Sequence, residues 1–198
     1  SRGGDKLIAA LEAGAINVQG AECLDVGCST GGFTDCLLQR GAARVYAVDV
    51  GYGQFDWRLR QDPRVHLHER TNIRYVERSL IPEPVSLVVI DVSFISLTLV
   101  VPPVIQFLSP GATVIALVKP QFEVGKGQVG RGGVVRDEAL RQSVLQRILT
   151  FAEPFGLSAT ATLDAPIKGK KGNLEFLAIF TFDPKKYVMK DTITRGAS

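Results

Sequence analysis

The sequence predicts an α/β fold: a seven-stranded, mostly parallel sheet with an antiparallel last strand and helices on both faces. Three observations predict it. Apolar runs of strand length alternate with helix-length segments at the spacing of βαβ units. Residues 85–91 and 112–119 are almost continuously apolar, as strands are when both faces are covered. The last two runs, 157–163 and 174–182, leave no room for a crossover helix and should pair antiparallel.

The elements follow in order. Residues 6–13 read as a short helix and 22–26 as a strand, which runs into Gly27-Cys28-Ser29-Thr30-Gly31-Gly32. Residues 33–40 form a helix stopped by Gly41, and 44–49 a strand ending near Gly51-Tyr52-Gly53. A short helix over 55–61 stops near Pro63, and 65–69 is a strand. After the apolar strand 85–91 comes a helix over 97–108, kinked near Pro102-Pro103. The buried strand 112–119 leads into a glycine-rich, basic loop over 121–133, expected to be flexible. Asp137 caps a helix that reaches about residue 155. Ile167-Lys168-Gly169-Lys170-Lys171-Gly172-Asn173 separates the last two strands. One domain over 1–182 and a polar tail over 183–198, loose at its end, account for the chain.

Composition agrees. With 198 residues, 45% hydrophobic and 22% charged, the chain can bury one ordinary core and is not a disordered polymer. A net charge of +3 permits a polyanionic partner without requiring one. Cys23, Cys28 and Cys36 match no zinc spacing, and His66 and His68 alternate along a strand, so buried thiols in a reducing cytoplasm are expected and no metal. The first residues are polar and glycine-rich, unlike a signal peptide. The best membrane candidate, 87–108, contains Asp91 and two prolines, so no membrane span is expected.

Ligands of an open parallel sheet bind outside the carboxyl ends of its strands. The first strand ends in Asp25-Val26-Gly27 and leads into Ser29, Gly31 and Gly32. The second ends in Asp49, the fourth in Asp91 and the fifth in Lys119. Glu175 opens the last strand, whose reversed direction puts its start on the same edge. A charge that ends an apolar run is rarely structural alone. The glycines allow close backbone approach, though an ordinary tight turn uses them too. Asp49 makes the pattern more specific, because an acid there accepts hydrogen bonds from ribose hydroxyls. Both NAD and S-adenosylmethionine carry a ribose. The acid-led loop suits the cationic, phosphate-free methionine end of the latter better than a pyrophosphate. Lys119 could serve as a general base oriented by Asp91, or could pack its stem and keep its amine in water. Lys6 alone reads as a surface lysine.

Ser1-Arg2-Gly3-Gly4-Asp5-Lys6-Leu7, the run from Asp25 to Asp35, Val48-Asp49-Val50-Gly51-Tyr52-Gly53-Gln54, Asp91-Val92-Ser93-Phe94-Ile95-Ser96-Leu97, Val118-Lys119-Pro120-Gln121-Phe122-Glu123 and Gly172-Asn173-Leu174-Glu175-Phe176-Leu177 carry a resemblance. They resemble, in order and over nearly the whole chain, the TlyA/hemolysin A family of FtsJ-like rRNA 2′-O-methyltransferases. The resemblance implies a Rossmann-like methyltransferase sheet and a Lys-Asp-Lys-Glu tetrad on Lys6, Asp91, Lys119 and Glu175. It implies S-adenosylmethionine contacts at Asp25, Gly27, Ser29, Gly31, Gly32 and Asp49, with Thr71 and Asn72 on the adenine side. It implies ribosomal RNA, or a ribosomal subunit, as partner. Lys126, Arg131, Arg136, Lys168, Lys170 and Lys171 would hold phosphates. The family usually begins with a small RNA-binding domain like one in ribosomal protein S-four, and this chain starts at that junction. RNA binding by this chain alone is therefore expected to be weak and salt-sensitive. Two other functions compete: a nucleotide-cofactor oxidoreductase on a similar sheet, which would give Asp91 and Lys119 no evident role, and an RNA-binding or hemolysin-like protein without transferase activity.

Overall fold

The computed structural model describes residues 2–188. Seven strands form one sheet: β1 (Glu22–Val26), β2 (Arg44–Val48), β3 (Val65–His68), β4 (Val85–Ile90), β5 (Leu108–Val118), β6 (Phe155–Asp164) and β7 (Phe176–Tyr187), in the order β3-β2-β1-β4-β5-β7-β6. The strands from β3 to β5 pair in parallel. β7 runs antiparallel to both β5 and β6, with Val118 opposite Phe176. The order reverses between β1 and β4, and that switch point opens a crevice at the carboxyl edge.

Helices α1 (Arg2–Ala13), α2 (Gly32–Gln39), α3 (Trp57–Arg60), α4 (Leu97–Val104) and α5 (Glu138–Ala152) cover the sheet. One core packs Val26, Val48, Ile90 and Phe180 against α4 and α5; the other packs Cys23, Leu87, Ile115 and Leu177 against α1 and α2. Helices on both faces explain why β4 and β5 carry apolar residues at almost every position.

Several boundaries differ from the sequence reading. α1 starts at Arg2, not Lys6: Gly4 is buried within it, so packing outweighs the poor helix propensity of the Gly3-Gly4 pair. α4 gives way after Val104 to a 3₁₀ turn over Ile105–Phe107. β5 then begins at Leu108, ahead of Pro110-Gly111, and a register shift between Val85 and Leu87 absorbs that irregular start. The loop over 121–133 is folded into short 3₁₀ turns, at Pro120–Phe122, Lys126–Gln128 and Arg131–Gly133. β7 continues to Tyr187, beyond residue 182 where the tail was drawn; the rest of that tail, from 189, lies outside the described residues. The three cysteines are free and buried, and burial pushes the Cys23 thiol up to about 12. No helix among the described residues is long and apolar enough to cross a membrane.

Candidate functional site

The four residues of the implied tetrad meet at the carboxyl edge as two ion pairs. Lys119 follows β5 and Asp91 follows the adjacent β4; their charged atoms are 2.5 Å apart. Lys6 on α1 reaches Glu175, just before β7, at 3.4 Å. The side chains of Lys6 and Lys119 are only 12% and 11% exposed. That decides against lysines with freely solvated amines. Glu175 is buried and also accepts a hydrogen bond from Gln121 Nε2 at 3.1 Å. Lys119 donates to Ser93 Oγ at 3.2 Å. Lys6 and Asp91 line one cleft of about 420 Å³, together with Arg2, Lys168 and Lys170. Glu175 lies behind it, holding the Lys6 amine.

A second cleft, of about 490 Å³, lies at the switch point. Gly27, Ser29, Asp49, Thr71 and Asn72 line it, and Asp91 and Lys170 line both clefts. Asp49 organises its rim. One carboxylate oxygen accepts from Ser29 N and the other from Gly51 N, each at 2.8 Å. Free lone pairs remain for ribose hydroxyls. The Asp49 carbonyl accepts from Thr71 N at 2.9 Å, and Asn72 Oδ1 accepts from Arg74 N, which fixes the loop that carries Thr71 and Asn72. The floor is bare backbone: Gly27 has φ +82°, and a Cβ there would fall inside the van der Waals shell of the Asp91 carbonyl oxygen. A nucleoside bearing a cationic amino-acid tail fits this cradle.

Two residues expected at the cofactor are placed elsewhere. Gly31, with φ +101°, turns the chain into α2 against Leu59 and Phe55 and lines neither cleft. Gly32 does line the first. Asp25 is fully buried below the loop, and its Oδ2 accepts from Thr34 Oγ1 at 2.7 Å. Its other oxygen has no hydrogen-bond partner among the described residues. Burial, followed by the charges of Asp91 and Asp49, raises its pKa from 3.8 to about 7. The folded chain therefore holds this proton up to about pH 7, whereas the unfolded chain releases it near 3.8. Its contribution to stability is complete below about pH 4 and is lost as pH rises through about 7. Asp25→Asn should flatten that part of the pH–stability curve; equal slopes in thermal melts of the two proteins between pH 4 and 7 would refute it.

Sequence reasoning missed the neutral partners Gln121, Ser93 and Thr34. It also missed Glu123, whose buried carboxylate accepts from Ser96 Oγ and Leu97 N and so caps α4 beside the site. Phe94 is 87% exposed with φ +63°, and its ring lies 4.9 Å from that of Phe122, which in turn lies 6.0 Å from the Lys119 amine. The loop cations divide: Lys168 and Lys170 line the tetrad cleft, whereas Lys126 and Arg131 line neither cleft.

Comparison with known proteins bears on this geometry. Residues 1–182 match the family model described as FtsJ-like methyltransferase. Over 176 residues the chain is 52% identical to the 16S/23S rRNA (cytidine-2′-O)-methyltransferase TlyA of Mycobacterium tuberculosis, a match covering 89% of this chain and 66% of that protein. It is 42% identical over 181 residues to Hemolysin A of Brachyspira hyodysenteriae, covering 91% and 75%. A solved Lactococcus lactis protein described as a hemolysin superposes with a TM-score of 0.89 at 40% identity, covering 100% of this chain and 98% of that one. The chain thus spans about two thirds of the Mycobacterium tuberculosis relative's length.

Proposed function

The chain belongs to the FtsJ-like methyltransferase family, and from that premise we propose that it transfers a methyl group from S-adenosylmethionine to a ribose 2′-hydroxyl of ribosomal RNA. The observation that carries the reading is the meeting of two partly buried lysine–carboxylate pairs beside a cleft with room for a nucleoside. When bound, the cofactor supplies an electrophilic methyl on a sulfonium whose charge disappears on transfer.

The protein's own work is alignment and proton handling. A ribose hydroxyl is a poor nucleophile until its proton is shared or removed. Asp91, which lines both clefts, and Ser93, which lines the second, hold the Lys119 nitrogen, although Lys119 itself lines neither cleft. That amine would take the hydroxyl's proton, while the cofactor, when bound, would supply the methyl group. Lys6, held by Glu175, presents a cation that steadies the developing alkoxide. The choice of RNA follows from the 2′-hydroxyl, which DNA lacks. Arg2, Lys168 and Lys170 give the tetrad cleft a cationic rim for phosphate, and the exposed Phe94 ring offers an unstacked base a surface.

The test is incubation with ribosomal subunits and labelled cofactor, followed by mass-spectrometric mapping. A 2′-O-methylated nucleotide is expected; label on a base, or none in RNA, overturns the reading. Asp49→Ala strands two backbone amides and removes the ribose acceptor. It should weaken cofactor binding by about 1–3 kcal/mol, and unchanged calorimetric affinity would take Asp49 out of the site.

A further inference from the structure

We propose that a third, strongly basic cleft next to the tetrad is a second RNA-backbone site, holding phosphodiesters of the nucleotides that flank the methylated one. The inference rests on the methyl-transfer reading above. This cleft, of about 370 Å³, is lined by Arg136, Arg141, Lys168 and Lys171, and no acidic residue lines it. Arg141 is spoken for: its guanidinium donates to the Val135 and Arg136 carbonyls and pairs with Glu138. The other three cations are exposed, and none pairs with a carboxylate among the described residues. Arg136 makes only a 3.3 Å bond to the Arg131 carbonyl. Like charges gathered without counter-charge repel one another, and a polyanion relieves that repulsion.

The cleft is also built. Its walls are the loops over 130–136 and 168–172, and the buried Asn173 fastens them together. Asn173 Oδ1 accepts from Val135 N at 3.0 Å, and its Nδ2 donates to the Gly133 carbonyl at 2.9 Å. Lys171 adopts φ +61°, a conformation a lysine rarely takes, and lays its amine across Gly133. Gly133 has φ +77°, a conformation that favours glycine, and a Cβ there would lie 3.2 Å from the Lys171 nitrogen, so the lysine would have to shift slightly. Lys168 lines both this cleft and the tetrad cleft. A strand whose ribose sits beside Lys6 and Asp91 would therefore pass Lys168 into the third cleft.

The experiment measures binding of a short single-stranded oligoribonucleotide to the whole chain across a salt series, alongside calorimetric cofactor affinity. Arg136→Gln/Lys171→Gln is compared with Lys186→Gln, a control at the far end of β7. On single strands each phosphate contact contributes about 0.7 to the slope of log affinity against log salt, so the double variant should lose about 1.4 from that slope. Its cofactor affinity should match that of the native chain. An unchanged slope in the double variant, or an equal loss in Lys186→Gln, overturns the second site and leaves the methyl-transfer reading standing. A native chain that binds the oligoribonucleotide without salt dependence, and methylates no RNA, overturns both.

Discussion

A Lys119→Arg protein is expected to bind S-adenosylmethionine as the native chain does and to transfer the methyl about 10²–10⁴ times more slowly. Arginine keeps the positive charge beside Asp91 but does not deprotonate at working pH, so it cannot take the hydroxyl's proton. The comparison separates a base from a fixed charge. If Lys119 only supplied electrostatic attraction, arginine would serve nearly as well. The measurement is transfer of labelled methyl to ribosomal RNA at saturating cofactor, with cofactor affinity measured in parallel. Near-native turnover would remove the base assignment and leave Lys119 as a positioning residue. The buried setting makes the contrast sharp, because the side chain is fixed by Asp91 and Ser93 rather than waving in solvent.

Gly27→Ala should do comparable damage by a different route. Its φ of +82° costs any residue with a Cβ about 1–2 kcal/mol. The added carbon would also press on the Asp91 carbonyl, which is backbone and cannot rotate away. Overpacking of that kind typically costs a further 1–3 kcal/mol or so. The displaced backbone carries both the floor of the nucleoside cleft and the aspartate that aims Lys119, so stability and cofactor affinity should fall together. Gly20→Ala is the control, since Gly20 has φ +73° and open space around its missing Cβ. Urea unfolding of the two variants should show a clearly larger loss for Gly27→Ala. Equal losses would mean that strain alone matters and that close approach to Asp91 does not.

The positions of Asp49, Asp91, Lys119 and Glu175 were legible because each interrupts or abuts an apolar run, and the strand-end rule converts that interruption into a place. Glu175 needed one further step, the reversal of the last strand, and that followed from the short connection before it. Lys6 had no such signal and rested wholly on resemblance. Gln121 and Ser93 were illegible for another reason: they are neutral, sit in turns, and touch the site only through side-chain hydrogen bonds. Asp25 shows the rule's limit. The rule puts a strand-end acid at the ligand, yet one residue of pleat turns Asp25 inward to Thr34, under the loop rather than into the cleft. The starts of α1 and β5 were missed because Gly3-Gly4 and Pro110-Gly111 are local breakers that packing overrules here.

The place of β7 in the sheet has a consequence for how the chain is made. β7 is the last strand among the described residues, yet it lies between β5 and β6, both made before it. Until it emerges, those two strands present unpaired edges to each other and to solvent, and Lys6 has no carboxylate waiting for it. The partners Lys6 and Glu175 stand 169 residues apart in the chain, a long-range closure that favours slow folding. A nascent or truncated chain that stops short of Glu175 and β7 thus holds a nearly complete nucleoside cleft and three of the four tetrad residues, with exposed edges prone to aggregation. Competence for chemistry arrives late and all at once, with the insertion of one strand.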